Sequence, residues 1–140
     1  MAVVDASVYI ALINANEDGH AASWHWYLQA VRSGEQLYAP AIILGEVAAA
    51  LSRGMDDQDL AKRAARRLER SRSIELVAVT IALGASAAAI AAEHRIRGCD
   101  AVYVALAQSR GEYLVTLDRQ QLTRGSAAVE TRRPPDIPRI

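Results

Sequence analysis

The chain has 140 residues, 51% of them apolar, and its 16 Lys+Arg cancel its 16 Asp+Glu. That length fits one domain with a substantial core, and the apolar content at zero net charge excludes disorder over its bulk. The single cysteine, Cys99, excludes an internal disulfide framework and points to a reducing cytoplasm, while the neutral balance argues against a strongly basic nucleic-acid binder.

In chain order, Ala2–Asp5 reads as a buried strand and Ser7 to about Ile13 as a helix. No basic segment precedes Asp5, so a secretory leader is not expected. The polar stretch 14–19 is a turn, and His20 to about Arg32 is helical, with Trp24, Tyr27, Leu28 and Val31 on one face. Gln36–Ala39 is a second strand. Pro40 then starts a helix running to about Arg53, since proline is tolerated in a first helical turn. Asp56 or Asp57 can cap the next helix, about Asp59–Ser71.

Ile74–Val79 is a third strand and Ile81 to about Arg95 a helix. Leu76–Ala92 is the longest charge-free stretch, but its 17 residues include Thr80, Gly84 and Ser86. A membrane span needs about 20 predominantly apolar residues, so a strand feeding a buried helix is expected. Gly98 breaks the chain before a helix over Ala101 to about Ser109, then comes a fourth strand, Tyr113–Leu117. A fifth falls at Ala127–Thr131. Strands alternating with helices predict a three-layer α/β/α domain over residues 1–132, with a mainly parallel sheet of four to five strands. Residues 133–140, with Pro134, Pro135 and Pro138, form an extended tail.

Four acids distant in sequence are expected to meet. Asp5 and Asp118 each follow an apolar strand, and in a parallel sheet all carboxyl ends share the edge where ligands bind. Asp100 opens the helix that leads into the fourth strand, so it starts at that same edge. Glu46 lies early in the helix leaving the second strand. Local readings exist: Asp100 as a helix cap, Asp118 as a turn residue. Glu46 is harder to explain locally. It shares a stripe with Ile43, Val47, Ala50 and Leu51, and no basic residue precedes Arg53 in that helix. A glutamate so placed is seldom buried without a partner or a cation.

Clustered carboxylates repel one another and raise their own pKa values. Mg²⁺ or Mn²⁺ would relieve this, being hard cations that take oxygen ligands, and could activate water against a phosphodiester. A zinc site is disfavoured: Cys99 stands alone, and His20 and His25 are five residues apart. A phosphoacceptor receiver domain also clusters acids at this edge but needs a lysine late in the chain, and the only lysine is Lys62. A catalytically inactive α/β interaction module would leave Glu46 unexplained.

Val3-Val4-Asp5-Ala6-Ser7, Ala39-Pro40 with Gly45-Glu46-Val47, Cys99-Asp100-Ala101-Val102-Tyr103-Val104-Ala105-Leu106-Ala107 and Leu114-Val115-Thr116-Leu117-Asp118 occur in this order. In order and spacing they resemble the PIN domain, and within it the VapC-type toxins of type II toxin–antitoxin systems, over about residues 2–130. The resemblance implies a Mg²⁺- or Mn²⁺-dependent endoribonuclease acting on structured RNA, of the tRNA or ribosomal RNA class. It also implies a homodimer, inhibited by a small cognate antitoxin. Its catalytic and metal-ligand residues fall on Asp5, Glu46, Asp100 and Asp118, with Ser7 as a supporting hydroxyl and Thr116 near the site. Cys99 departs from the tyrosine that many relatives carry there. An RNA-processing nuclease without an antitoxin is the neighbouring reading within the family.

Arg119 and Arg124 follow the fourth acid and are placed to meet RNA phosphates. The helix near residues 60–72 carries Lys62, Arg63, Arg66, Arg67, Arg70 and Arg72 against Glu69, which reads as an RNA-facing surface or as a solvated helix face. Trp24 and Tyr27 are expected to face the core, Trp26 an interface. Cys99 is expected to pack, and His94 to favour the helix end it sits near.

Overall fold

A computed structural model describes residues 1–135. The strands are β1 (Ala2–Val4), β2 (Leu37–Pro40), β3 (Ile74–Val77), β4 (Tyr113–Val115) and β5 (Thr131–Arg132). The helices are α1 (Ala6–Ile13), α2 (His20–Arg32), α3 (Ile43–Met55), α4 (Gln58–Glu69), α5 (Ile81–His94), α6 (Gly98–Arg110) and α7 (Arg119–Arg124). All strand pairs are parallel, in the order β3-β2-β1-β4-β5. The expected three-layer α/β/α architecture is present. Right-handed crossovers put α1–α4 on one face and α5–α7 on the other, because the strand order reverses direction after β3.

The sheet is short, and its central strands are largely covered. Ala2, Val3, Val4, Leu37, Ala39, Leu114 and Val115 are all wholly buried, which is why these strands read as apolar runs and not as alternating patterns. Helix α6 packs on β1, β2 and β4. It contributes Tyr103, Val104, Leu106 and Ala107 to the core, together with Ile43, Val47, Leu51 and Leu68 from α3 and α4. Each fully buried Leu, Ile or Val contributes roughly 1.5–3 kcal/mol relative to exposure.

Several boundaries differ from expectation for identifiable reasons. Pro40 ends β2 instead of starting a helix; the next residue, Ala41, donates its N–H to the Val77 carbonyl at 2.8 Å, and α3 begins only at Ile43. Glu46 therefore sits in the first turn of α3. Gly98 begins α6 instead of breaking the chain before it, and Arg97, not Asp100, occupies the N-cap. Helix α7 has no counterpart in the sequence reading; it is nucleated by Asp118, whose side chain accepts from the N–H groups of Gln120 and Gln121. The fifth strand lies at Thr131–Arg132 because a turn of 3₁₀ helix occupies Gly125–Ala127. Of the two candidate caps for α4, Asp57 is used, accepting from Leu60 N–H at 2.9 Å.

Helix α2 is turned from its expected orientation. Ser23 and Ala30 are its buried residues, and Trp26 and Tyr27 pack on the core edge. Trp24, Leu28 and Val31 are exposed by 38%, 41% and 43%. Trp24 is fixed by an indole N–H bond to the Leu12 carbonyl at 2.9 Å, which needs the ring at the rim and not in the core. Cys99 is exposed, not packed, and His94 lies in the last turn of α5 as expected. Among the described residues no helix is long and apolar enough to cross a membrane. Residues 136–140 of the proline-containing tail, Pro138 included, lie outside the described residues.

Candidate active site

The strand order reverses between β1 and β4, and the crevice outside the carboxyl ends of those two strands is where an open α/β sheet binds ligands. Asp5 leaves β1 at this point. It is 5% exposed and doubles as the N-cap of α1. Its Oδ2 accepts from Ser7 Oγ at 2.6 Å, Thr116 Oγ1 at 2.9 Å and the Ser7 N–H at 3.3 Å. Among the described residues no hydrogen bond falls on Oδ1.

Ser7 and Thr116 relay order from β4 to Asp5. The Leu117 N–H donates to Ser7 Oγ at 3.0 Å, and the Asp118 N–H donates to Thr116 Oγ1 at 3.0 Å. Each hydroxyl then donates onward to Asp5. Thr116 is wholly buried, so its position is set by packing as well as by these bonds. The loop carrying Asp118 is thereby registered against Asp5 from across the β1–β4 pair. Asp118 is in turn the N-cap of α7, so the local turn reading holds for it.

Asp100 comes from the first turn of α6 and Glu46 from the first turn of α3, on opposite faces of the sheet. Tyr103, wholly buried on α6, donates its hydroxyl to Glu46 Oε1 at 2.6 Å. Burial pushes the Asp5 carboxyl above the usual range and the neighbouring Asp100 charge adds to this, while the Ser7 and Thr116 bonds oppose it. Glu46 is raised as well, mainly by burial; the Tyr103 bond opposes this, and the charges of Asp5 and Asp100 reinforce it. Asp5, Glu46 and Asp100 therefore feel one another. Burial, with the Glu46 contact second, drives the Tyr103 phenol far above its ordinary pKa, so it is a permanent donor.

The acids are not without counter-charge, contrary to the expectation from sequence. Arg97, three residues before Asp100, donates Nε to Asp100 Oδ2 at 2.9 Å and Nη2 to Asp118 Oδ2 at 3.4 Å. Glu46 lacks a basic partner in its own helix but feels Arg97 from α6. Among the described residues, no three His, Cys, Asp or Glu side chains form a ready-made metal centre. The donor set nonetheless suits a hard cation: carboxylate oxygens only, one of them an Asp5 oxygen left without a hydrogen bond. Arg97, Tyr103 and Gln121 were missed in the sequence. Arg97, Asp100 and Tyr103 stand three residues apart, the spacing of one helix face, so the signal was there to read. Gln121, 1% exposed, donates to the Asp100 carbonyl at 3.3 Å and steadies the start of α6.

Beside the acids, a cleft of about 410 Å³ is lined by Ser7, Ile10, Asn14, Leu51, Leu117 and Asp118, among others. Arg119 and Arg124 are exposed beyond Asp118, and Arg124 is engaged with the Arg95 carbonyl at 2.8 Å. The arginine-rich helix α4 does not join this site. Arg63, Arg66, Arg67 and Arg70 line a separate groove of about 770 Å³, with Tyr9, Trp24 and Tyr27.

The PIN domain family model matches residues 2–125. Among solved structures, the chain is similar to VapC20 of Mycobacterium tuberculosis, a sarcin–ricin loop cleaving toxin, at 23% identity and a TM-score of 0.74, covering 91% of this chain and 95% of that one. It is similar to a chain of the VapBC2 complex of Rickettsia felis bound to a promoter DNA fragment, at 12% identity and a TM-score of 0.70, covering 94% and 97%. It also resembles a chain of the FitAcB structure from Neisseria gonorrhoeae, at 17% identity and a TM-score of 0.66, covering 96% and 98%. No curated protein sequence matches the chain significantly.

Proposed function

The chain belongs to the PIN domain family, and from that premise we propose that it is a metal-dependent endoribonuclease acting as the toxin of a toxin–antitoxin pair in the cytoplasm. The observation that carries the reading is Asp5: a buried carboxylate at the sheet's switch point, one oxygen tied by two hydroxyls and the other without a hydrogen bond. Asp100 and Glu46 press further negative charge on it. Such a cluster is costly in an empty site and favourable around a cation.

Asp5, Glu46, Asp100 and Asp118 are the residues that would hold Mg²⁺ or Mn²⁺, one ion or two. A bound ion of this kind polarises a phosphate oxygen and lowers the pKa of water. Asp5 supplies the fixed anchor, because Ser7 and Thr116 prevent its rotation. Glu46, oriented by Tyr103, is placed to orient a water and accept its proton. The cleft beside Asp118 admits the RNA strand, and the exposed Arg119 and Arg124 meet its phosphates. The substrate class is structured RNA, tRNA or ribosomal RNA, a reading supported by the sarcin–ricin loop named for VapC20.

The partners are a small antitoxin and a second copy of the chain. The antitoxin is supported by the toxin–antitoxin complexes among the similar structures. Pairing of two copies is supported by uncovered apolar surface, with Ile81 93% and Val79 38% exposed at the start of α5. Purified protein should cleave RNA with Mg²⁺ or Mn²⁺, stop with EDTA, and lose activity in Asp5→Asn. Cleavage that survives both treatments would refute the site. A short DNA-binding-protein gene immediately upstream would support the toxin role; a free-standing gene would support RNA processing.

A further inference from the structure

Arg97 holds an unusual position. It is the N-cap residue of α6, its side chain is 71% exposed, and it offers no cap bond. Yet one edge of its guanidinium, Nε and Nη2, spans two acids that belong to different elements: Asp100 at 2.9 Å and Asp118 at 3.4 Å. It is also the basic group whose charge reaches Glu46. Resting on the reading of these acids as cation ligands, we propose that Arg97 is a built-in, displaceable counter-ion. It occupies the space between Asp100 and Asp118 when no metal is bound, and it leaves when a divalent cation arrives.

Two physical points support displacement over permanent pairing. A guanidinium and a divalent cation cannot share the same two carboxylate oxygens, because like charges at contact distance repel strongly even under surface screening. The hold that Arg97 exerts is also weak: exposed ion pairs of this kind favour the paired state only a few-fold each. A buried arginine would block the site. This one is held just firmly enough to keep two carboxylates from repelling one another. Once displaced, its free planar fork stands at the site's rim, where it suits a phosphate oxygen of the RNA. The same residue would therefore oppose metal entry and favour substrate binding.

These opposite signs separate the proposal from a merely structural role. Mn²⁺ alone, titrated calorimetrically into the metal-free full chain, should bind Arg97→Ala about two- to tenfold more tightly than wild type, the range set by losing two exposed pairs. With Mn²⁺ saturating, the KM for RNA should rise several-fold in that variant, with kcat changed less. In wild type, Mg²⁺ titration should shift the Arg97 Nε–H resonance, and it should not do so in Asp5→Asn. Equal or weaker Mn²⁺ binding by Arg97→Ala, with wild type binding normally, would overturn the counter-ion role and leave the metal reading intact. Failure of wild type and variant alike to take up Mn²⁺ would overturn both.

Discussion

Tyr103 and Glu46, 57 residues apart, meet through a 2.6 Å hydrogen bond that joins the helices on the two faces of the sheet. The phenol is wholly buried and donates; the carboxylate is half-buried and accepts. This bond is what permits an acid on the apolar stripe of α3. Hydrogen bonds to charged groups contribute about 1.5–3 kcal/mol. Tyr103→Phe should therefore lower unfolding stability by an amount of that order in urea titrations. It should also weaken Mn²⁺ binding several-fold, because Glu46 loses its orientation. Unchanged metal affinity would mean that Glu46 takes no part in the centre.

Stability of the metal-free protein should fall with rising pH through Glu46 and Asp5. Burial raises both carboxyls above their usual range. Between the ordinary value of roughly 4 and the raised one, the folded state binds more protons than the unfolded state, so stability declines as pH climbs through that window. Glu46→Gln removes its share of this slope while still accepting from Tyr103. In EDTA, the variant should melt at or above wild type at pH 7, with the gap closing toward pH 4. A large loss of melting temperature at pH 7 would assign Glu46 a structural ion pair instead.

The two hydroxyl relays make Thr116 a positioning residue. Thr116→Val keeps the shape but leaves the Asp118 N–H unpaired and takes one bond from Asp5. An unmet buried donor costs about 1–3 kcal/mol. We expect a stability loss in that range and a fall in RNA cleavage of at least tenfold, with Thr116→Ser restoring both. A valine variant with wild-type cleavage would show that Asp5 is held by Ser7 alone.

The two arginine groups should separate in salt titrations of RNA binding, performed with Ca²⁺ in place of the activating ion. Arg119 lies next to Asp118, whereas Arg66 and Arg67 line the groove with Tyr9 and Tyr27. Each phosphate contact contributes close to one unit to the slope of log K against log salt, somewhat less for single strands. Arg119→Ala should reduce the slope by roughly that amount. Arg66→Ala with Arg67→Ala should leave it unchanged. The reverse outcome would move the RNA path onto α4.

The sequence by itself determined most of the order of elements, a mainly parallel sheet and the expectation that four acids lie toward one edge. These follow from apolar runs too short to be anything but covered strands, and from the rule that parallel strands end together. It also marked Glu46 as anomalous, since a charge on an apolar stripe must be answered by something. What answers it was decided only by tertiary structure. Tyr103 reaches Glu46 across two layers, Thr116 reaches Asp5 across 111 residues, and Arg97 bridges Asp100 and the more distant Asp118, 21 residues from Arg97 itself. The fate of α2 and α4 was likewise decided there. Periodicity identifies an apolar face and a basic face, but which neighbour covers each depends on how the whole chain packs. Trp24 came to the rim, and the arginines of α4 to a groove of their own. Backbone pattern is local and readable; hydrogen-bond partners and charge neighbours are set by contacts between residues that the sequence keeps far apart.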